Sequence, residues 1–221
     1  GDELWRLEVG WPYIGRDGVA VDVNGDDEPE WLTVSRSASL EVIDAQTGLP
    51  VWNTMDNPAI DDGSPSFIGV FELDGDPGPE LLLSGAYRLT ALDVAGTSSV
   101  YMSALWSLDT RESSWASVTR IDSDEFYDIV LWTSAHGATA LRGLDGELLW
   151  AHRFAFGGKL PTNSQLSSTT MQAPAMGDIN ADGLDEVLFG GGDGFLYCLS
   201  TANGEPVWTA NLRAVVSPTI I

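Results

Sequence analysis

Four short stretches concentrate the side chains able to do chemistry: DVNGDDEPE at 22–30, ELDGDPGPE at 72–80, RIDSDEFYD at 120–128 and DINADGLDE at 178–186. Seventeen of the chain's 33 acids lie in them. Like charges held this close destabilise a fold unless something positive sits among them. In the fourth stretch Asp178, Asn180 and Asp182 occupy positions 1, 3 and 5, and Glu186 occupies position 9. Alternate residues of a tightly curled loop can aim their oxygens at one centre. The carbonyl of Leu184, at position 7, can join them, and Gly183 permits the sharp turn after position 5. A cage of hard oxygens suits Ca²⁺, which takes six to eight of them at roughly 2.3–2.6 Å. Mg²⁺ wants fewer protein ligands and a strict octahedron, and a transition metal wants His or Cys, which the loops lack.

The first stretch repeats the set as Asp22, Asn24, Asp26, the carbonyl of Glu28, and Glu30. The second offers Glu72, Asp74, Asp76, the carbonyl of Gly78, and Glu80. Glu72 is one methylene longer than Asp, so this site is expected to be distorted and weaker. The third departs further: Arg120 stands at position 1, before Asp122, Asp124 and Asp128. A guanidinium there could neutralise the carboxylates by itself. The expectation is about three calcium sites, with the loop Arg120–Asp128 empty. The competing explanation is that these are ordinary turns, since Asp, Asn and Gly favour turns anyway. Three copies with the same ninth-position acid weigh against it.

The loops are one element of a repeat. Each leads into an apolar strand, and about ten residues on comes another: SLEVID, LTALD, TALRGLD and FLYCLS. Turn signals follow in AQTG at 45–48, DG at 145–146 and NG at 203–204, with a weaker AG at 95–96. Every unit closes on a strand carrying Trp52, Trp106, Trp150 or Trp208, and Trp5 supplies an extra copy of that ending. No window reads as a helix, because Gly and turn residues interrupt each one. Units at approximately 12–55, 66–108, 115–153 and 171–211 therefore each predict four short strands, A to D. The fold class is all-β, a β-propeller of four-stranded antiparallel blades. A β-sandwich has similar strand spacing but no reason to repeat at one long period. The stretches 1–9 and 214–221 are expected to be partial blade strands of a single domain. The opening resembles strand D, and VVSPTII at 215–221 resembles strand A, MQAPAMGDI. The chain is thus expected to be a piece of a larger propeller, or to have other copies covering its open ends.

Composition narrows the function. With 33 acids against 10 bases and a formal net charge of −23, the chain is unsuited to nucleic acid, which needs clustered Lys and Arg. No apolar run is long enough for membrane insertion. The single cysteine, Cys198, lies in the apolar FLYCLS and reads as a buried, inert thiol.

The loops DVNGDDEPE, ELDGDPGPE and DINADGLDE resemble FG-GAP/VCBS-type, integrin-like calcium-binding propeller repeats. The unit endings VIDAQTGLPVW and LSTANGEPVW resemble quinoprotein-like blades, in which the Trp docks on the neighbouring blade. The resemblance implies calcium loops on one face of a disc and ligand-facing loops on the other. The connections at 155–170, which holds the only Lys (Lys159), and at 56–65 are the candidates for a protein or carbohydrate ligand. Two functions are in play. One is a non-catalytic, calcium-binding module for adhesion, protein contact or assembly, placed outside the cell, at its surface or in the periplasm. The other is a fragment of a propeller enzyme, a polysaccharide lyase or a quinoprotein-type dehydrogenase. No haem-attachment motif and no serine-nucleophile motif supports the enzyme. Its basic candidates reduce to His136, His152, Lys159 and scattered Arg. Trp11 and Trp115 fall outside the repeat, while Trp31 and Trp132 on the B strands could form an exposed pair that stacks on sugars.

Overall fold

Alternating and continuous apolar runs bounded by Gly, Asp and Asn clusters demand strands joined by tight turns, and a computed structural model shows sixteen of them. It describes residues 4–6, 14–24, 26–35, 40–53, 66–76, 78–85, 87–93, 103–110, 116–133, 137–153, 173–190 and 195–212. Among these there is no helix, and so none long and apolar enough to cross a membrane. Lys159, His136, Trp11, Trp115, the connections at 56–65 and 155–170, the weaker turn at 95–96 and the stretch 214–221 lie outside the described residues. Leu4–Arg6, the described part of the expected opening strand, is in no strand. Trp5 is held there through its side chain rather than by a backbone ladder.

The strands form four antiparallel four-stranded sheets, each in sequence order. The first is β1 (Ile14–Val21), β2 (Glu30–Ser35), β3 (Leu40–Asp44) and β4 (Pro50–Asn53). The second is β5 (Ser66–Phe71), β6 (Glu80–Ser84), β7 (Arg88–Asp93) and β8 (Ser103–Asp109). The third is β9 (Ala116–Thr119), β10 (Asp128–Thr133), β11 (Gly137–Leu141) and β12 (Leu148–His152). The fourth is β13 (Ala175–Gly177), β14 (Glu186–Gly190), β15 (Phe195–Ser200) and β16 (Pro206–Asn211). Each repeat folds as one propeller blade, with the acidic loop between its first and second strands. The chain divides into two compact units, Gly1–Asp109 and Thr110–Ile221, each holding two blades.

Within the first unit, Leu32 and Val42 of one blade pack with Leu81, Leu83 and Leu92 of the next, and Val19, Val21 and Val70 close the cluster. Strand β6 is buried along its whole length, which its unbroken Leu run requires. Within the second unit, Val130, Ala138, Ala140 and Trp150 meet Val187, Phe189 and Leu199. Exposure returns on the outermost strands, most of all on β16. The inner strands are therefore clamped on both faces, and their ends, where the loops sit, are held in place.

The outer hairpins repeat in atomic detail. Asp44, Arg142 and Ser200 each donate an N–H across the turn, to Leu49, Glu147 and Glu205, at 2.8–2.9 Å. Gly48, Gly146 and Gly204 close these turns at φ of 69°, 70° and 72°, a conformation that glycine alone adopts without strain. Missing side chains also make room there. Trp5 lies on Gly48 and Trp150 on Gly204. Their indole N–H groups donate to the carbonyls of Ala45 (2.8 Å) and Thr201 (2.5 Å). Each such Trp docks on the hairpin turn of the following blade. Trp106 is equally buried, whereas Trp208 is 37% exposed, so the shared strand position does not bury every copy. The side chain of Trp52 lies outside the description.

Cys198 is fully buried. Burial, with the charge of Glu186 as a lesser cause, pushes its thiol up to about 11. A disulfide-exchange reagent at pH 8 should leave it untouched in the folded protein and modify one thiol per chain in urea. Prompt native-state reaction would contradict this burial.

Candidate metal centres

The acidic loops curl because their own side-chain oxygens accept from the backbone two to five residues on. In the first loop Asp22 accepts from the N–H groups of Asn24, Asp26 and Asp27, Asn24 from Asp26, and Asp26 from Glu28. In the fourth, Asp178 accepts from Asp182 and Gly183, Asn180 from Asp182, and Asp182 from Leu184. In the second, Glu72 accepts from Gly75, Asp74 from Asp76, and Asp76 from Gly78. Position 6 is left-handed in two loops, at Asp27 (φ 68°) and Gly183 (φ 90°). The side chains at positions 1, 3 and 5 are thus turned onto the backbone of their own loop in each case.

The ninth-position acid begins the second strand of each blade and is buried: Glu30, Glu80, Asp128 and Glu186 are all at most 4% exposed. One oxygen of each reaches back to the start of its loop. Glu30 accepts from the N–H of Val23 at 3.0 Å, Glu80 from Leu73 at 2.5 Å, and Glu186 from Ile179 at 2.9 Å. What happens at the other oxygen separates the loops. In the first and fourth, the side-chain amides of Asn24 and Asn180 donate to it, at 3.0 and 2.9 Å. In the second loop Asp74 replaces the Asn and has no proton to give. Oε1 of Glu80 is buried there with no partner.

The second loop also gathers oxygens more tightly. Carboxylate oxygens of Glu72, Asp74 and Glu80 lie within 4.8 Å of one another, and so do those of Asp76, Glu80 and Asp93. Two ligands of one calcium ion are at most about 5 Å apart, so each triad by itself matches a hard cation. The longer Glu72 still reaches this cluster. Burial first, and then the charges of Asp74, Glu72 and Asp76, push the Glu80 carboxyl up to about 7, against the opposing Leu73 N–H. Asp93 is raised by burial, then by Asp76 and Asp74. Glu30 is also raised, chiefly by burial.

The third loop is built differently. Asp128 is one methylene shorter than Glu, and both its oxygens are satisfied by N–H groups: Ile121 at 2.8 Å, Asp122 at 3.3 Å and Gly143 at 3.2 Å. The guanidinium expected inside the cage is not that of Arg120, which sits 5.0 Å above the ring of Tyr127. A second guanidinium, that of Arg142, lies on the neighbouring hairpin. It forks onto Asp145 at 2.7 and 3.0 Å, pairs with Glu147, and feels Asp122 of the loop. The ion pairs of Arg142 are thus with acids of its own hairpin, whereas Arg120 is drawn to the aromatic face of Tyr127.

Asp93 and Arg142 occupy one structural position, the residue facing the ninth-position acid across the hairpin. Glu30 pairs with Asp44, Glu80 with Asp93 and Glu186 with Ser200, and the pairing of Ile129 with Leu141 puts Arg142 beside Asp128. Aligning the repeats at the residue that faces the ninth-position acid exposes this set, Asp, Asp, Arg and Ser, in the sequence. Of the Trp residues expected to form an exposed pair, Trp132 packs on Phe189 (ring centroids 6.3 Å). Only Trp31, 40% exposed, remains open.

A family sequence model described as outer membrane protein assembly factor BamB matches residues 1–220. The chain belongs to the BamB family. This match carries the quinoprotein-like part of the resemblance read from the blade endings, and the calcium-loop part rests on the loops alone. No curated protein sequence matches significantly. Among solved structures, rhamnogalacturonan lyase YesW aligns over 93% of this chain and 41% of its own, at 17% identity and a TM-score of 0.63. The Bacillus licheniformis rhamnogalacturonan lyase PL11 aligns over the same shares, at 18% identity and 0.60. BamB from Moraxella catarrhalis is 19% identical, with a TM-score of 0.49 over 89% of this chain and 52% of that one. The chain therefore spans about half, or less, of these relatives' lengths. At such identities the likeness to the lyases establishes the β-propeller fold and nothing of their activity.

Proposed function

We propose that this chain is a non-catalytic β-propeller module, stiffened by calcium in its acidic loops, that presents its surface to a protein partner in the cell envelope. The observation that carries the calcium reading is the buried, partnerless Oε1 of Glu80, a residue whose carboxylate belongs to two triads of clustered carboxylates. A buried polar atom without a partner costs about 1–3 kcal/mol, and more when charged. A bound cation removes that cost. The family name, an outer membrane assembly factor, supports a partner-binding scaffold in the periplasm or at the cell surface. Calcium there can reach the millimolar level that fills weak oxygen cages.

Titration calorimetry on chelator-treated protein tests this reading. Calcium uptake at about three sites is expected, with dissociation constants of about 10⁻³ M or tighter, and magnesium should compete poorly. Heats no larger than dilution at millimolar calcium would remove the basis for calcium stiffening.

A further inference from the structure

Four loops share one plan, yet among the described residues only the second blade leaves buried carboxylate oxygens without a donor. They are Oε1 of Glu80 and Oδ1 of Asp93, on neighbouring strands of the second blade. We propose that Asp93, at the end of β7 and outside the acidic loop, is a further ligand of the cation held by the second loop, making it the tightest calcium site of the chain. This deepens the calcium reading above and depends on it.

The equivalent positions show why the second blade is singled out. Asp44 turns outward, where its Oδ1 accepts from the N–H groups of Gln46 and Thr47, both at 2.8 Å. That cap occupies the oxygen a cation would need. Ser200 carries no charge, and Arg142 brings a fixed positive one. Asp93 alone keeps a carboxylate oxygen turned toward the loop, within 4.8 Å of Asp76 and Glu80 oxygens. Asp74 adds to the difference. Where Asn24 and Asn180 quench the ninth-position acid with an amide proton, Asp74 brings a further anion. Two triads of carboxylate oxygens, Glu72, Asp74 and Glu80 on one side and Asp76, Glu80 and Asp93 on the other, thus meet at Glu80. Only a multivalent cation with a taste for hard oxygen, of the calcium class, compensates such a set. Because Asp93 belongs to the third strand, the ion would tie the first loop of the blade to its outer hairpin.

The test uses the full chain, chelator-treated, with calcium chloride as titrant. Asp93→Asn should weaken the tightest calcium site at least tenfold and leave the others in place, while Asp44→Asn should leave every site unchanged. Melting temperatures provide a second readout. In chelator, Asp93→Asn should melt at or above the wild type, because it removes an anion from a crowded site; in calcium it should melt below. A merely structural role predicts the same loss in both conditions, and that result would overturn the proposal. Should Asp93→Asn fold poorly, Asp93→Ser, the residue the fourth blade carries at this place, takes its role with the same expectations. A wild-type isotherm from the variant would reject Asp93 as a ligand while sparing calcium binding. No calcium uptake by the wild type would reject both.

Discussion

In excess chelator, the melting temperature should fall as the pH rises from about 5 to about 8, and millimolar calcium should reverse that slope. The reason is the buried carboxyl of Glu80, pushed from an ordinary 4.5 to about 7. A carboxyl raised in the folded state is favoured there in its neutral form. The associated stability is complete below the unfolded value, near 4.5, and is lost as the pH climbs through about 7. The gap between those values corresponds to about 3 kcal/mol at 1.4 kcal/mol per tenfold. For a chain of this size that is about 6–12 °C in melting temperature. Asp93, Asp128 and Glu30 are raised as well, mainly by burial, so their contributions share the sign. Calcium binds the ionised form, and at a hundredfold excess over its dissociation constant adds about 2.7 kcal/mol per site. Differential scanning calorimetry at pH 5, 6.5 and 8, with chelator and with calcium, reads the result. A cation-free protein that gains stability toward pH 8 would show that the carboxylates are not crowded in the way described.

Trp150→Ala should lower stability by about 3–5 kcal/mol, the range for a buried aromatic truncated in a close-packed core. The indole is 9% exposed, packs with Val130 and Val187, covers Gly204, and donates to the carbonyl of Thr201 at 2.5 Å. Truncation opens a cavity and strips that carbonyl of its donor at once. Trp208→Ala is the internal control. It removes the same residue from the same blade position, but from a side chain 37% exposed, and should cost less than about 1.5 kcal/mol. Urea unfolding followed by circular dichroism separates the two. Equal losses would mean that the position along the strand, rather than docking on the next blade, sets the energy.

Legibility followed the range of the interactions involved. The acidic loops were readable as bends because the groups that shape them are within nine residues of one another. The hairpin glycines were readable for the same reason, since a left-handed turn residue announces itself locally. Arg120 misled because its position in the motif was taken to set its direction, whereas a long side chain follows the nearest favourable surface, here Tyr127. Asp93 went unread because nothing inside the loop refers to it. It lies thirteen residues past the last residue of the loop, Glu80, and only strand pairing brings them level.

The order of residues settled the repeat, the strands and the chemical identity of the loops, because backbone sterics, alternation and side-chain oxygens act over a few positions. Which buried carboxylate was left without a hydrogen-bond donor, where Arg120 and Arg142 turned and which tryptophan was covered depended on contacts between strands and between adjoining blades. Those contacts exist only once the sheets have paired and packed, since burial and the loss of solvent partners belong to the assembled blade and not to any segment of it.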